Sequence, residues 1–332
     1  MPEKETINRV KAPDWLWALL PMLLAAAMVV PVLGRDIFGG DESATLRVAC
    51  ANHLGPCTPA EAVRQLVSIV PDQAWGIAIA FSQWGQLVGW SEFSIRSLSW
   101  LVGPLTIAWV YRLGRELFAP AVALSASLLL STSVLFLVYM YIARLFGPAM
   151  LFTAISIWGY WRVARFGRRP KPGAQVALLL GATGVLYSHY FSALLVPALC
   201  LFHLLFVRID RRWWRAPFLL GLAGLLALPQ VTGVLSGIAF NEVKSDLHNR
   251  ALQAHEILAL LVRFLGGDTL QVPDPLARLL LPAMVLLVLW SIWTRRRRHW
   301  QPDAGAYVTL VSVLLALLSL ALNERLKVFA PE

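Results

Sequence analysis

The chain has 332 residues, 58% hydrophobic and only 14% charged, with a formal net charge of +10 and a mean hydropathy of +0.64. Soluble domains carry about 25% charged residues, so a water-surrounded globule is excluded. The positive charge does not point to nucleic acid either, because Arg and Lys stand in short clusters between apolar runs.

A helical membrane crossing takes about 20 mostly apolar residues. The first such run, 15–33, follows a polar head with Lys4, Arg9 and Lys11 and contains Pro21 and Pro31. It lacks a convincing small-residue cleavage site of a secretory signal and reads as a retained first span, with a cleaved signal as the alternative. Further runs lie at 97–111, 119–140, 146–161, 174–187, 191–207, 216–238, 276–293 and 304–322. Between them stand Arg112 and Arg115, then Arg162 to Lys171, then Arg208 to Arg215, and finally Arg295 to Arg298. If the N-terminus is cytoplasmic and each run crosses once, every cluster falls in the cytoplasm, as the positive-inside rule requires. The expectation is an all-α polytopic transmembrane helix bundle of about nine spans, one domain over the whole chain.

The segment 73–90 breaks the alternation. Making it a span would invert every later loop, and it carries Gln73, Ser82, Gln83, Trp84 and Gln86. It is expected to be a juxtamembrane helix at the outer surface, with a short tilted span as the alternative. The outer face then collects the loop 34–96 with its interfacial helices, the loop 239–275, and the end of the chain at Asn323 to Lys327.

On that face Asp41 and Glu42 open a helix expected over 42–53, after a sharp turn at Gly39-Gly40. Carboxylates in a first helical turn either cap the dipole or, at a membrane rim, serve as general base to an acceptor hydroxyl. Arg144 begins a span, where a guanidinium either snorkels to headgroups or grips a lipid phosphate bidentately. Lys244, Arg263, Arg325 and Lys327 are further cations for such a site. His189, between Ser188 and Tyr190, reads as a polar group at a helix end. His248, His255 and Glu256 are not at convincing metal-ligand spacing, so no cofactor is certain and a divalent metal stays open but unsupported. No glycine-rich phosphate loop is present. Cys50 and Cys57 share the first outer loop, where a disulfide and two free thiols are both open. Cys200 lies within a span as a packing residue.

In order along the chain, these residues resemble the dolichyl-phosphate-mannose protein mannosyltransferase and aminoarabinose transferase superfamily of GT-C fold glycosyltransferases. The resemblance is carried by the Asp-Glu pair, by Gly89-Trp90-Ser91-Glu92-Phe93-Ser94-Ile95-Arg96, and by Tyr111-Arg112-Leu113-Gly114-Arg115-Glu116-Leu117-Phe118. It continues through Ala143-Arg144, Ser188-His189-Tyr190-Phe191 and Arg325-Leu326. It implies an integral membrane enzyme that moves a sugar from a polyprenyl-phosphate donor to a lipid, protein or glycan hydroxyl at the extracytoplasmic face. Asp41, with Glu42 beside it, would be the catalytic carboxylate. Arg144, Lys244 and Arg325 would hold the donor phosphate, with Asp72, His189, Tyr190 and His255 as further site candidates.

The sequence also departs from that pattern. Pro71-Asp72-Gln73-Ala74-Trp75 stands where many members have His-Pro-Pro-Leu-Tyr, and Ile142 stands where many have an acid. These changes imply either another substrate class or a degenerate site. Members usually carry further spans after the Arg-Leu element, so a C-terminal truncation is expected. Two other classes compete: a lipid-linked transporter or flippase, which would need polar residues at mid-membrane depth, and a non-catalytic membrane scaffold.

Overall fold

The computed structural model describes residues 14–53, 55–71, 73–164, 171–244, 285–286, 288–290 and 303–326. Among them every regular element is helical, the all-α class expected from the apolar runs. A short 3-10 turn at Asp14–Ala18 leads into α1 (Leu19–Val29). The loop beyond it carries α2 (Gly40–Val48), α3 (Pro59–Ile69) and α4 (Gly76–Val88). The long helix α5 (Glu92–Leu117) follows, then α6 (Pro120–Ser131), α7 (Val134–Tyr141), α8 (Phe146–Ala164) and α9 (Pro172–Ser188). After one turn, α10 (Tyr190–Ala193), come α11 (Leu195–Phe206), α12 (Arg215–Lys244) and the last described helix, α13 (Ala304–Leu326).

Among the described residues two stretches, Trp15–Val32 and Glu92–Leu117, are long and apolar enough to cross a membrane, and α6 with α7 makes a third if the bent pair counts as one span. The run 119–140 is thus broken, by 62°, at Thr132-Ser133. The Thr132 hydroxyl turns back onto the Leu128 and Leu129 carbonyls, which competes with the helical ladder. The apolar stretches Tyr190–Phe206, Arg215–Val231 and Ala304–Ser319 are shorter than a full crossing. The run 276–293 lies largely outside the described residues. The all-α class with apolar helices therefore stands, and the count of about nine crossings is not established by the described helices.

The core has two main parts. One joins α8, α9, α11, α12 and α13 around Tyr160, Leu178, Phe202 and Tyr307. Helices α8 and α9 approach closely because a side chain at Gly159 would strike the Leu178 backbone and one at Gly181 would strike Ser156, the small-residue packing common between membrane helices. The Tyr160 hydroxyl lies 2.7 Å from His203 Nδ1, and His203 Nε2 lies 2.9 Å from the Trp213 carbonyl. Since a carbonyl only accepts, Nε2 carries a proton and donates it there.

The second part packs α2, α3 and α4 against the start of α5 and the turn after α7, through Leu66, Phe81, Ile95 and Ala143. Its helices α2, α3 and α4 all come from the segment 34–96. Gln230 ties it to the bundle, accepting from the Trp75 N–H at 3.1 Å and donating to the Leu186 carbonyl at 3.1 Å. Helix α3 starts on a capping box, Thr58 with Glu61, and Pro59 at its first position. Helix α2 stops at Val48, five residues short of the expected end at His53. Cys50 takes a left-handed conformation with φ 65° just past it, which ends a helix. Cys50 is bonded to Cys57 in a disulfide, and that small loop is held to α4: Gln86 Oε1 accepts from the Cys57 N–H at 2.9 Å, and its amide donates to the Cys57 carbonyl at 2.8 Å. Of the three cysteines in the chain, only Cys200 is free. Intact mass after maleimide treatment of the denatured protein is expected to show one adduct without reductant and three with it. Three adducts without reductant would mean that the bridge does not form.

Candidate active site

The acidic pair that opens α2 divides its work. Successive residues of a helix point about 100° apart, so only one of the two faces the protein. Glu42 is buried, and its carboxylate is filled. Oε1 accepts from Arg96 Nε at 2.8 Å and from the Ala143 N–H at 2.9 Å; Oε2 accepts from Arg96 Nη2 at 2.7 Å and from the Gly39 N–H at 3.1 Å. Burial pushes this carboxyl up, but the Arg96 hydrogen bond and the two backbone N–H groups outweigh it, and it titrates below the usual carboxylate range.

Arg96 is fully buried and spends all five N–H groups. Two go to Glu42; Nη1 donates to the Leu33 and Asp36 carbonyls at 3.0 and 2.7 Å, and Nη2 to the Ile37 carbonyl at 3.2 Å. Its guanidinium also lies 4.6 Å from the centre of the Tyr141 ring, whose hydroxyl donates to Asp36 Oδ2 at 3.0 Å. The end of the first span, α2, the start of α5 and the turn after α7 therefore meet on one ion pair.

Asp41 points the other way. Its side chain is 79% exposed, and Oδ2 lies 3.0 Å from Arg144 Nη2. Arg144 is set by its neighbour: Glu42 holds the Ala143 N–H, and the Arg144 carbonyl accepts from Ser99 Oγ at 3.2 Å. Among the described residues Asp41 is the one hydrogen-bond acceptor of the Arg144 guanidinium. The two arginines contrast: Arg96 is saturated, and Arg144 keeps donors for a ligand. An exposed ion pair of this kind stabilises a fold by only about 0–1 kcal/mol, so it exchanges partners at little cost.

From Arg144 a line of rings leads inward. Its guanidinium is 6.0 Å from the Phe146 ring, which is 5.4 Å from His189 and 4.6 Å from Tyr139. Behind them lies an apolar cavity of about 450 Å³, lined by Thr106, Phe136, Tyr139, Phe146, Thr153 and His189 among others. Tyr190 stacks on His189 at 4.4 Å. His189 Nδ1 accepts from the Phe191 N–H at 3.2 Å and so caps α10. Burial, and then the charge of Arg144, lower its pKa from 6.5 to about 4. It is therefore neutral where an unfolded chain would protonate near 6.5. The unfolded state binds the extra proton, so stability falls as pH drops from 6.5 to about 4 and levels off below, with a slope approaching about 1.4 kcal/mol per pH unit. His189→Gln is expected to flatten that window in a melting series; an unchanged slope would show that other groups carry it.

The structure thus brings Asp41, Arg144, His189 and Tyr190 to one rim, and sets Glu42 beneath them as a support. Lys244 and Arg325 stand at the ends of α12 and α13, but their side chains lie outside what is described, as do Asp72 and His255 entirely. No group of three or more His, Cys, Asp or Glu arranged for a metal occurs among the described residues.

Residues 72–236 match the family model for dolichyl-phosphate-mannose-protein mannosyltransferase. Over this half of its length the chain belongs to that family. No curated protein and no solved structure matches it. The mannosyltransferase family is one of GT-C type membrane glycosyltransferases, and its membership together with the apolar helices marks an integral membrane protein. The segment matched to the mannosyltransferase family contains Arg96, Arg144, His189 and Tyr190, while Asp41 and Glu42 precede it. Asp41 is tied to the matched segment by its contact with Arg144, and Glu42 by its bonds to Arg96 and Ala143.

Sequence reasoning missed Arg96 as a site residue. The available signal was its position in the first turns of an apolar helix, where an arginine needs an anionic partner.

Proposed function

We propose that this membrane glycosyltransferase moves a sugar from a polyprenyl-phosphate donor to a hydroxyl of a lipid, protein or glycan acceptor, with Asp41 as general base and Arg144 on the donor phosphate. The observation that carries the reading is an exposed carboxylate 3.0 Å from an arginine with spare donors, whose guanidinium lies 6.0 Å from the ring of Phe146, a wall of the apolar cavity of about 450 Å³. The cavity suits the first isoprene units of the donor. Its phosphate competes with Asp41 for Arg144, and so frees the carboxylate for the acceptor as the donor arrives.

In the transfer the acceptor oxygen attacks the anomeric carbon while its proton passes to Asp41. The bond from that carbon to the phosphate oxygen breaks, and its electron pair leaves on the lipid phosphate. Arg144 meets the growing charge there, joined in this reading by Lys244 and Arg325. A single displacement inverts the sugar carbon. Glu42 keeps Asp41 and Arg144 in register and takes no proton. His189 and Tyr190 form the neutral wall of the pocket, and Asp72 and His255 stay as further candidates on the same face.

The site is placed on the extracytoplasmic face, with the N-terminus cytoplasmic and about nine crossings in all. Two observations support that side: the basic clusters favour the opposite one, and the Cys50–Cys57 bridge belongs to an oxidising compartment. The test is transfer by the purified chain from labelled polyprenyl-phosphate sugars, run beside the Asp41→Asn variant. Turnover from a nucleotide sugar in place of the lipid-linked one would sink the donor assignment.

A further inference from the structure

At the end of α5 opposite to Arg96 the molecule has a second cavity, of about 590 Å³. Arg96 and Arg112 are separated by about 24 Å along the helix, so a group bound there is not the reacting phosphate. One wall is apolar, with Trp15, Leu19 and Met22 from the first span and Ala108 from α5; the other carries Arg112, Arg115 and Glu116.

Arg112 stands apart from the other charges of this wall. Glu116 is bound by Arg162, 3.0 Å away. Arg112 is exposed, and among the described residues it has no hydrogen-bond acceptor. What holds it is aromatic: its guanidinium lies 4.6 Å from the Trp109 ring centre and 4.0 Å from that of Trp158, and Arg162 lies 5.5 Å from the same Trp158 ring. Ring contacts use the faces of a guanidinium, while its N–H groups lie in its plane around the edge. Arg112 is thus held in place with its donors unspent.

We infer that this cavity binds an anionic phospholipid, its phosphate on Arg112 and its acyl chains along Trp15, Leu19 and Met22. A free anion would gain nothing from the apolar wall, and a neutral lipid nothing from the charge of Arg112. Trp15 and Leu19 are 61% and 38% exposed, so the tails reach the site sideways from the bilayer. Trp15 and Trp17, both exposed, mark the headgroup level where such rings settle. Anionic lipid is drawn to a basic membrane-proximal surface of this kind.

Native mass spectrometry of the purified full chain, titrated with dioleoyl-phosphatidylglycerol or dioleoyl-phosphatidylcholine, tests this. Phosphatidylglycerol is expected to bind better than phosphatidylcholine, and Arg112→Gln to weaken it about tenfold, as loss of a charge-assisted hydrogen bond would. Arg211→Gln, which removes an exposed charge outside the cavity, is expected to leave binding unchanged. Equal binding of the two lipids, or equal loss in both variants, overturns the site. So does displacement by excess inorganic phosphate, which would make it a plain anion site, or by an equimolar polyprenyl phosphate, which would make it a second donor site. If Arg112→Gln fails to fold, the unmodified chain still decides. Phosphatidylglycerol with a photoreactive acyl chain must label residues 15–22 or Ala108, and labelling confined to other segments rejects the proposal.

Discussion

Asparagine in place of Asp41 is expected to lower sugar transfer by about 10²–10⁴-fold, with the melting temperature unchanged. The amide keeps the size of the side chain and a hydrogen bond to Arg144, but it takes no proton. Because the Asp41 side chain is 79% exposed, its loss removes almost nothing from the fold, so a lower rate cannot be ascribed to unfolding. The comparison belongs at saturating donor, where the proposed phosphate contact at Arg144 is already made and only proton removal differs. Equal turnover by Asp41→Asn and wild type would end the assignment of the base, and would leave the donor site at Arg144 standing.

Arg96→Met should be the most damaging single change to the fold. It leaves the Glu42 carboxylate buried and without its cation, and breaking a buried pair in this way costs about 3–5 kcal/mol. Three loop carbonyls, of Leu33, Asp36 and Ile37, lose their donors in the same step. Arg96→Lys is not expected to rescue it, since an ammonium has three donors and no fork to replace five N–H groups in one plane. Thermal unfolding in detergent reads the effect directly. A Met variant that melts with the wild type would mean that this ion pair does not hold the loop together.

The contrast between these two predictions also shows where sequence reasoning stopped. Asp41 and Glu42 are adjacent acids, and composition cannot say which one turns inward; that depends on the angle at which α2 sits on α5 and on the 141–145 turn. The order of motifs did point to Arg144 and His189, because an arginine at a span end and a histidine beside a helix break are local signals. Arg96 required pairing across 54 positions, which no window of periodicity sees. Span limits were similarly blurred. Apolar composition is continuous through 119–140, yet the helix breaks at Thr132-Ser133, where hydroxyls satisfy backbone carbonyls. The all-helical class was legible because hydrophobic runs and basic clusters alternate along the entire chain. The number of crossings was less so, since a run of apolar residues fixes burial and not the direction of a helix.

The Glu42 carboxylate is separated along the chain by 54 residues from Arg96 and by 101 from Ala143. During synthesis the first loop therefore leaves the ribosome long before the groups that shape it. Until α5 has followed, Glu42 has no guanidinium to meet, and until the turn after α7 has followed, Asp41 has no Arg144. The rim of Asp41 and Arg144 is consequently a late product of biogenesis: the first helix can be inserted in the membrane while the loop behind it is still unshaped, and a chain halted before residue 144 would carry the acid without the cation that answers it.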